Sequence, residues 1–408
     1  MNAFRVHLTR TFLLHFAQSL VFTTWIIFQA QVLNLDALQL VLIGTMMEVS
    51  ILLFEIPTGV VADVISRRLS VIIGTLLMGV GFLVMGLSSS FEMALASQIF
   101  WGVGYTFTSG AYDAWLVDEL GQDQAGPAFM RGSQVSRIAG LLGIIASTLL
   151  ATLRLDLPLL LGGGLHLLHS VLLMVIMPEH GFTPTPREER NTWLVYFQTF
   201  VNGLTLVRSR PALINIVGVG LFFGLFSEAW DRLWQIHLID TIGLPAHLPP
   251  QTWIGLLFAL DAIFGATAVE ALRRRLDTGS SRQMTISLLV FTAAMVTGLV
   301  VYALAGSLAM AIIAFIVFTI ARSLVEPVFA TWTNQQIDSR VRATVLSMQS
   351  QVDAFGQIAG GPPLGAIGQR SLRLAFIASA VTLSPALALL ERVRRTTTNV
   401  EAAVTPPQ

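Results

Sequence analysis

The stretch GVVADVISRRLS, residues 59–70, separates two long apolar segments and brings a glycine together with one acidic and two basic side chains. Asp63 and Arg67 are four residues apart, a spacing that places them on one face of a helix. Because apolar residues continue on both sides, the stretch predicts the end of one membrane helix and the start of the next. Short connections that carry arginine are typical of the cytoplasmic side of multi-pass membrane proteins.

The composition is that of a membrane protein. Of the 408 residues, 54% are hydrophobic and only 12% are charged, and the mean hydropathy is +0.71. A soluble domain carries about 25% charged residues, so lipid must surround much of this chain. The chain contains no cysteine, which excludes disulfides, thiolate metal sites and cysteine nucleophiles.

All 24 basic residues are arginine. Without lysine the chain has no Walker A phosphate loop and forms no Schiff base with retinal or pyridoxal phosphate. The net charge is zero and no long basic run occurs, so nucleic-acid binding is not expected. No serine–histidine–aspartate order indicates hydrolysis. We therefore predict a protein that is not an enzyme, uses no cofactor and binds no nucleic acid.

Twelve apolar segments are long enough to cross a bilayer, since a membrane helix needs about 20 residues. They lie near residues 11–33, 39–61, 69–88, 93–116, 133–153, 157–177, 211–236, 251–272, 284–304, 308–331, 342–368 and 372–391. The segments form two groups of six. This pattern predicts an all-α integral membrane protein with one six-helix bundle in residues 1–177 and a second in residues 211–395.

Residues 178–210 form a central linker between the two groups. The linker starts with three prolines and a charged run, and its apolar side chains then recur at helical spacing from Trp193 to Leu204. This spacing predicts a helix that lies along the cytoplasmic membrane surface, although a plain linker helix fits it as well. Residues 396–408 are polar and contain proline, so we predict a disordered cytoplasmic tail.

Arginine placement predicts the orientation of the chain. With the N-terminus inside, twelve crossings place only Arg154, Arg370 and Arg373 outside, and the loop arginines otherwise lie in the cytoplasm. The reverse orientation would violate the positive-inside rule. We therefore expect both termini in the cytoplasm, with the protein in the plasma or bacterial inner membrane.

Short matches suggest that the two halves are repeats. EIPTG (55–59) in span 2 and DAIFG (261–265) in span 8 each place a glycine four residues after an acid, shortly before arginines. SQV occurs at 133–135 and again at 350–352, each time with a glycine ten residues after its serine. Together these matches favour two parallel copies of a six-helix unit.

The motif and the topology resemble a known family. The loop between spans 2 and 3 is similar to the pattern G-x-L-A-D-R-x-G-R-R of the major facilitator superfamily. The matching residues are Gly59, Ala62, Asp63, Arg67 and Arg68, whereas Val61, Val64 and Ser66 depart from it. The resemblance implies two pseudo-symmetric six-helix bundles, and bacterial twelve-span drug or metabolite efflux permeases are the most similar members. Such members carry an arginine in span 4, where this chain has Gln98.

The resemblance implies a cytoplasmic gate at the quoted stretch. We expect Gly59 to let a neighbouring helix approach closely, and the arginines to pair with an acid at the end of span 4. The resemblance also implies that Asp63 faces the start of span 11, near Arg340 to Thr344, and together these contacts would hold the two halves together in one state of the carrier. The predicted gate consists of Gly59, Asp63, Arg67, Arg68, Asp118 and Glu119. Alternatively, the arginines serve only as a topology signal.

Acidic residues inside the spans are candidates for proton coupling. A charge at bilayer depth costs at least about 2.5–3.5 kcal/mol, and loss of water favours the neutral form of a carboxyl group. Glu48 and Asp353 lie near the midplane and are the first candidates, followed by Asp113 and Asp261. The alternative for each is a hydrogen bond that only packs helices.

Polar and aromatic residues in spans 1, 7 and 10 are candidates for the substrate cavity, because spans 1, 4, 7 and 10 line it in the superfamily. These candidates are Gln18, Trp25, Gln29, Glu228, Asp231, Arg322 and Glu326. Arg322 and Glu326 are four residues apart and can pair on one face, as a cavity feature or as a structural salt bridge. Trp230 and Trp234 fit an aromatic belt at the membrane surface.

His166 and His169 have a spacing that could bind a metal ion on a helix. No cysteine exists and no acid lies close in sequence, so we predict no metal site and assign the pair to helix packing.

These observations predict a secondary transporter that exports a small organic solute in exchange for protons. Its partners would be the solute and the lipid bilayer, and its coupling ion would be the proton. We expect it to be a monomer. An uptake permease or a uniporter for a metabolite remains an alternative, favoured by Gln98. A transporter-like sensor or assembly protein that does not transport is a third possibility.

Overall fold

The computed structural model describes residues 2–184, 186, 205, 207–208, 211–337 and 342–404. Helices account for nearly all of these residues, and no β-strand occurs among them. The helices are α1 (Ala3–Phe22), α2 (Trp25–Gln31), α3 (Ala37–Val64), α4 (Arg67–Gly86), α5 (Phe91–Thr108), α6 (Ala111–Leu120), α7 (Gln122–Leu153), α8 (Leu157–Ile176), α9 (Pro211–Ile236), α10 (Pro250–Arg275), α11 (Ser281–Ala303), α12 (Leu308–Gln336), α13 (Arg342–Arg370) and α14 (Leu372–Val404).

Each predicted span coincides with one helix or with two consecutive helices. Span 1 is α1 with α2, span 4 is α5 with α6, and a short π-helix, His237–Ile242, extends span 7. Among the described residues, ten helical segments are long and apolar enough to cross a membrane. The two predicted spans that fall short are span 4, which is interrupted, and span 11, whose first turns are polar. The predicted all-α membrane fold is confirmed.

Polar residues fix where several helices begin. Asp36 and Gln39 form a capping box at the start of α3, each accepting a hydrogen bond from the other's backbone. Ser66 accepts from the backbone N–H of Leu69 at the start of α4. Such caps satisfy N–H groups that have no partner inside the helix. The sequence therefore marks the loop-to-helix transitions as well as the apolar spans.

Two glycines isolate the short helix α6 from its neighbours. Gly110 separates α5 from α6 with φ of 70°, and Gly121 separates α6 from α7 with φ of 79°. Glycine adopts this left-handed backbone without steric cost. The predicted continuous span 4 is therefore two helices.

The chain forms two compact units. One unit contains Met1–Tyr196 with Pro245–Ala259, and the other contains Phe197–Leu244 with Leu260–Gln408. The predicted bundles, 1–177 and 211–395, differ from these units at the start of span 8. Gln251 there donates to the backbone oxygen of Ala151 at 3.2 Å, so the first turns of α10 belong to the first unit.

The repeated SQV segments lead to equivalent helix contacts in the two units. Ten residues after the first SQV, Gly143 of α7 lies so close to α1 that a Cβ would come within 2.5 Å of the backbone oxygen of Phe16. Ten residues after the second, Gly360 of α13 lies against the backbone of Leu225 in α9. Spans 1 and 5 thus pack in the first unit as spans 7 and 11 pack in the second.

Aromatic residues fill the interior of the second unit. Trp230 and Trp234 are 3% and 4% exposed. The ring of Trp230 lies 3.9 Å from that of Phe318, and Trp234 lies 4.6 Å from Phe315. The predicted belt of these tryptophans at the membrane surface is therefore wrong, because their side of α9 faces α12 rather than lipid.

The last helix is longer than the sequence suggests. α14 continues to Val404, past the predicted start of the disordered tail at residue 396. Glu391 pairs with Arg394 and Arg395 at helical spacing, and such pairs favour the helix across this polar stretch. The predicted surface helix between Trp193 and Leu204 and the end of the tail, 405–408, lie outside the described residues.

Candidate functional site

Three of the predicted gate residues, Asp63, Arg67 and Asp118, meet at the junction of α3, α4 and α6. Arg67 donates a short hydrogen bond to the carboxylate of Asp118. The carboxylate of Asp63 lies 3.9 Å from the same guanidinium group, on its other side. Phe182 adds a ring 5.8 Å from the guanidinium carbon. Arg67 therefore links the end of span 2 to the end of span 4 through two acids.

The other two charged gate residues bind different partners from those predicted. Glu119 accepts hydrogen bonds from the backbone N–H groups of His180 and Gly181, the latter at 2.8 Å. Arg68 donates from its side chain to the backbone oxygen of Met174 at 2.5 Å. Glu119 therefore attaches the start of the linker to the first unit, whereas the Arg68 side chain binds the last turns of span 6.

Glu179 is a member of this cluster that the sequence analysis missed. Its carboxylate accepts from the Ser66 hydroxyl at 2.6 Å and from the backbone N–H of Arg68 at 2.8 Å. A carboxylate at this position complements the partial positive charge of the α4 N-terminus. The only signal in the sequence was an acid directly after Pro178, in a segment that we had assigned to the linker.

Gly59 does not have the predicted role in this structure. No described atom lies within 4 Å of the position that its Cβ would occupy. Gly59 is half exposed on α3, so the close helix approach is absent here. The motif glycine thus lies beside the charged cluster without contributing to its packing.

In the second unit, Arg322 of α12 pairs with Asp231 of α9. Two guanidinium nitrogens donate to the two carboxylate oxygens at 2.5 and 2.9 Å. This parallel geometry is the strongest arrangement available to the two groups. The predicted partner on the same helix, Glu326, is exposed and makes no ion pair among the described residues. The Arg322–Glu326 pair is therefore wrong, because Asp231 offers both oxygens to the guanidinium fork.

Two further acids lie within electrostatic reach of this pair. Asp353 and Asp261 are close enough to interact electrostatically with Arg322. Asp353 accepts from the side chain of Gln357 at 2.9 Å, and one oxygen of Asp261 is buried without a hydrogen-bond partner. Three of the predicted acids thus converge on one arginine, although they lie far apart in the sequence.

Glu228 lies one helical turn before Asp231 but is enclosed. It is 2% exposed, and its carboxylate lies 3.4 Å from the Nε of Arg232. Glu228 and Arg232 are four residues apart on α9 and form an ion pair. In this conformation, however, Glu228 does not border an open cavity, because packed side chains of the unit cover it.

The span 1 candidates are also packed inside their unit. Trp25 and Gln29 are 2% and 0% exposed, and Trp25 lies against the ring of Phe82. Neither borders open space in this conformation, so the prediction that they line a substrate cavity is not met here. Gln18 and Glu48 are half buried on α1 and α3. Their roles remain predictions.

A cavity of about 210 Å³ lies in the first unit between α1, α6 and α7. Its wall is polar and includes both charged and uncharged side chains. The lining residues are His7, Arg10, Thr11, His15, Tyr112, Asp113, Phe129, Gly132, Ser133 and Ser136. Of these, only Asp113 is among the predicted site residues, and it is exposed at the edge of the cavity.

Arg10 is the central charge of this cavity. It is 5% exposed, its guanidinium carbon lies 3.4 Å from the centre of the Tyr112 ring, and its Nε has no hydrogen-bond partner. From its position before span 1, Arg10 was expected to be one of the cytoplasmic loop charges. The signal that it missed is the spacing of His7, Arg10 and Thr11, which places three polar side chains on one helix face.

His7 fixes the orientation of Tyr112. The Nε2 atom of His7 lies 3.0 Å from the backbone oxygen of Ala128, and its Nδ1 lies 2.5 Å from the Tyr112 hydroxyl. Because a carbonyl oxygen only accepts, Nε2 donates, and in the neutral ring Nδ1 accepts from the hydroxyl. A side chain at Gly132 would collide with His7. The ring of Tyr112 is thereby held with its face against Arg10.

The two histidines of span 6 lie in the helix interior. His166 is fully buried with its Nδ1 atom 3.0 Å from the backbone oxygen of Gly162, and His169 is 2% exposed. Across the described ranges, no group of three or more potential ligands could hold a metal ion. The surroundings of His166 are aromatic, with the Phe82 ring 5.0 Å away.

Most of the chain matches one protein family. The family model described as Major Facilitator Superfamily matches residues 10–361. A protein of Bacillus subtilis (strain 168), described as the uncharacterized MFS-type transporter YxaM, is 23% identical over 350 residues, which is 85% of each chain.

Solved transporter structures share the fold. The nucleoside transporter NupG has a TM-score of 0.79 at 13% identity, over 96% of this chain and 99% of that one. A POT family transporter in complex with 5-aminolevulinic acid has a TM-score of 0.72 at 15% identity, over 96% and 95%. A bacterial homologue of the human lysosomal transporter Spinster has a TM-score of 0.71 at 15% identity, over 97% and 96%.

Proposed function

Since this chain belongs to the major facilitator superfamily, and is thus a multi-pass membrane transporter rather than an enzyme, we propose that it moves a small organic solute by alternating access, coupled to protons. The two six-helix halves would expose the solute site to each side of the membrane in turn. We place the protein in the plasma or inner membrane as a monomer, with both termini in the cytoplasm. The direction that we propose is export, driven by proton entry.

The acids around Arg322 support proton coupling. Arg322 is bidentate with Asp231, so its charge is already matched by one carboxylate. Asp353 and Asp261 lie within its electrostatic reach, and they are two acids beyond those that pair with Arg322 and Arg232. Two additional negative charges among membrane helices are costly. Uptake of a proton by Asp353 or Asp261 removes one of these charges, and its release restores it.

The similarity of its motif to the superfamily pattern is what links the gate cluster to alternating access. Arg67 joins Asp63 at the end of span 2 to Asp118 at the end of span 4. We propose that this cluster stabilises one of the two states of the carrier. The part of the gate role that depends on Gly59 is not included in the proposal.

The test uses purified protein in liposomes with a pH-sensitive dye inside. A pH gradient is imposed, and lipophilic cations, antibiotics, sugars, nucleosides and peptides are added in turn. We expect proton movement that depends on one compound and is lost in Asp353→Asn or Asp261→Asn. Glu48→Gln tests the remaining midplane acid. Asp123→Asn is the matched control, because Asp123 is an exposed carboxylate at the start of α7, and it should move protons as the wild type does.

A uniporter or uptake permease is the second candidate, and one observation favours it. Gln98 stands in span 4 where efflux members carry arginine, and it is 1% exposed with its amide donating to Ser97 at 3.0 Å. Span 4 therefore has an uncharged, satisfied group at this position. Tracer movement without proton movement would establish this second function. If no compound in the panel moves either protons or tracer, a non-transporting sensor or assembly protein becomes the better explanation.

A further inference from the structure

In the cavity beside Arg10, no carboxylate of the described residues contacts the guanidinium group. An arginine guanidinium stays protonated in proteins, and a buried charge is costly unless it is paired. Among the described residues Arg10 makes no ion pair, and its Nε has no hydrogen-bond partner. The face of Tyr112, 3.4 Å away, compensates the charge only in part. The site therefore favours an incoming anion.

The surroundings limit how much negative charge the cavity accepts. Asp113 lies at the exposed edge and interacts electrostatically with Arg10 without forming a salt bridge. A dianion would meet one guanidinium and one like charge, whereas a monoanion is neutralised by Arg10 alone. This balance favours a carboxylate over a phosphate, which carries about 1.5–2 negative charges.

The remaining wall suits a carboxylate attached to a small apolar body. The hydroxyl groups of Thr11, Ser133 and Ser136 can donate to carboxylate oxygens, and Phe129 supplies an apolar surface. His7 and Gly132 keep Tyr112 in place behind Arg10. Arginine can bind a carboxylate with two parallel hydrogen bonds. The cavity volume of about 210 Å³ limits the ligand to a small molecule.

We propose that this cavity is a binding site for the carboxylate group of a small organic monocarboxylate, held by Arg10. The proposal rests on the proposed function, because it assigns the solute of the carrier to the monocarboxylates. Tyr112 positions the guanidinium group, and Asp113 sets the limit of one negative charge.

The experiment measures binding in the purified full-length chain, in detergent micelles, through the melting temperature followed by tryptophan fluorescence. The probes are sodium benzoate and sodium butyrate, with benzamide and butyramide as uncharged counterparts and inorganic phosphate as the competing anion. We expect both carboxylates to raise the melting temperature of the wild type in a saturable manner. The amides and phosphate should have little effect at equal concentration and ionic strength.

Variants separate the role of Arg10 from a general effect of charge. Arg10→Gln should abolish the response to benzoate, and Arg10→Lys should weaken the affinity about tenfold, because the second parallel hydrogen bond is lost. Asp113→Asn should strengthen binding, because it removes the like charge. Arg5→Gln is the matched control, since Arg5 is an exposed arginine on the same helix, and it should respond as the wild type does.

The proposal is overturned if benzoate stabilises the wild type no more than benzamide does, or if Arg10→Gln keeps the full response. Equal stabilisation by phosphate would contradict the assignment to monocarboxylates. If Arg10→Gln does not fold, Arg10→Lys and Asp113→Asn still decide, because their effects must have opposite signs. Binding in micelles requires no proton gradient. A failure here with proton movement intact therefore contradicts only this inference, whereas binding without proton movement contradicts only the proposed coupling.

Discussion

At the scale of single residues, the ion pairs of Arg322 and Arg67 determine which acids have a guanidinium partner. Arg322 holds Asp231 through both carboxylate oxygens, and Arg67 holds Asp118 with Asp63 on its other side. Asp353 and Asp261 remain beside Arg322 without a guanidinium of their own. The protein therefore has paired acids that join helices and further acids that we propose to exchange protons.

A double-mutant cycle measures the contact between Asp231 and Arg322. We expect Arg322→Gln and Asp231→Asn each to lower the free energy of unfolding by about 1.5–3 kcal/mol, since each leaves one charged partner without its hydrogen bonds. The double variant should lose less than the sum of the two, because no unpaired charge remains. Denaturation by SDS in mixed micelles provides the measurement.

The control for this cycle is the exposed pair of Arg273 and Glu270 on α10. Its nitrogen and oxygen atoms are 2.9 Å apart, but the arginine side chain is 74% exposed. Arg273→Gln should leave the unfolding transition nearly unchanged, because exposed pairs contribute little. If the Asp231 and Arg322 variants were strictly additive, the two side chains would not stabilise one another, and the bidentate contact would have no energetic role.

At the scale of helices, one glycine is tightly packed against a neighbouring helix and another has open space beside it. Gly360 of α13 lies against the backbone of Leu225, whereas Gly59 of α3 has no described atom near its Cβ position. Alanine is the better helix former by about 0.8–1 kcal/mol, but a new methyl group at Gly360 has no room. Helix packing therefore decides whether the same substitution stabilises or destabilises.

We expect Gly360→Ala to destabilise the protein by about 1–3 kcal/mol, the usual cost of overpacking. Gly59→Ala should be neutral or stabilising by up to about 1 kcal/mol. Both variants can be compared in the same SDS titration. Equal stability of the two variants would show that α9 and α13 separate enough to admit the methyl group, contrary to the contact described above.

At the scale of the whole molecule, the helices followed from the sequence more fully than the site did. The spans could be placed because apolar length and arginine position are properties of continuous segments, and the repeat glycines Gly143 and Gly360 marked real contacts. The contact between Asp231 and Arg322 could not be derived, because it joins residues 91 positions apart. The four-residue spacing of ion pairs on a helix pointed instead to Glu326, which is close in sequence but exposed.

Arg10 shows a second limit of the sequence analysis. An arginine near the first span counts as a topology signal whether it faces water or the bundle interior. Only the packing of α6 and α7 around α1 shows that Arg10 is buried. Glu179 was missed for the same reason, since its partners Ser66 and Arg68 belong to a distant part of the chain.

The orientation of the molecule can be tested because the chain has no cysteine. We expect a membrane-impermeant maleimide to label Ser89→Cys from outside intact cells and Thr278→Cys only in inverted vesicles. Both side chains are exposed in loops, and the arginine distribution places these loops on opposite sides. The unmodified chain is the blank, and the reversed labelling pattern would contradict cytoplasmic termini.

The short helix α6 connects two places that were described separately. Its first turn carries Tyr112 and Asp113 of the Arg10 cavity, and its last turn carries Asp118 and Glu119 of the charged cluster, about 9 Å away along the helix axis. Glycines with positive φ, Gly110 and Gly121, lie at the two ends of this helix. A ten-residue helix bounded by two such glycines can shift as one unit. We therefore expect a shift of the backbone that carries Tyr112 to be transmitted to the backbone that carries Asp118.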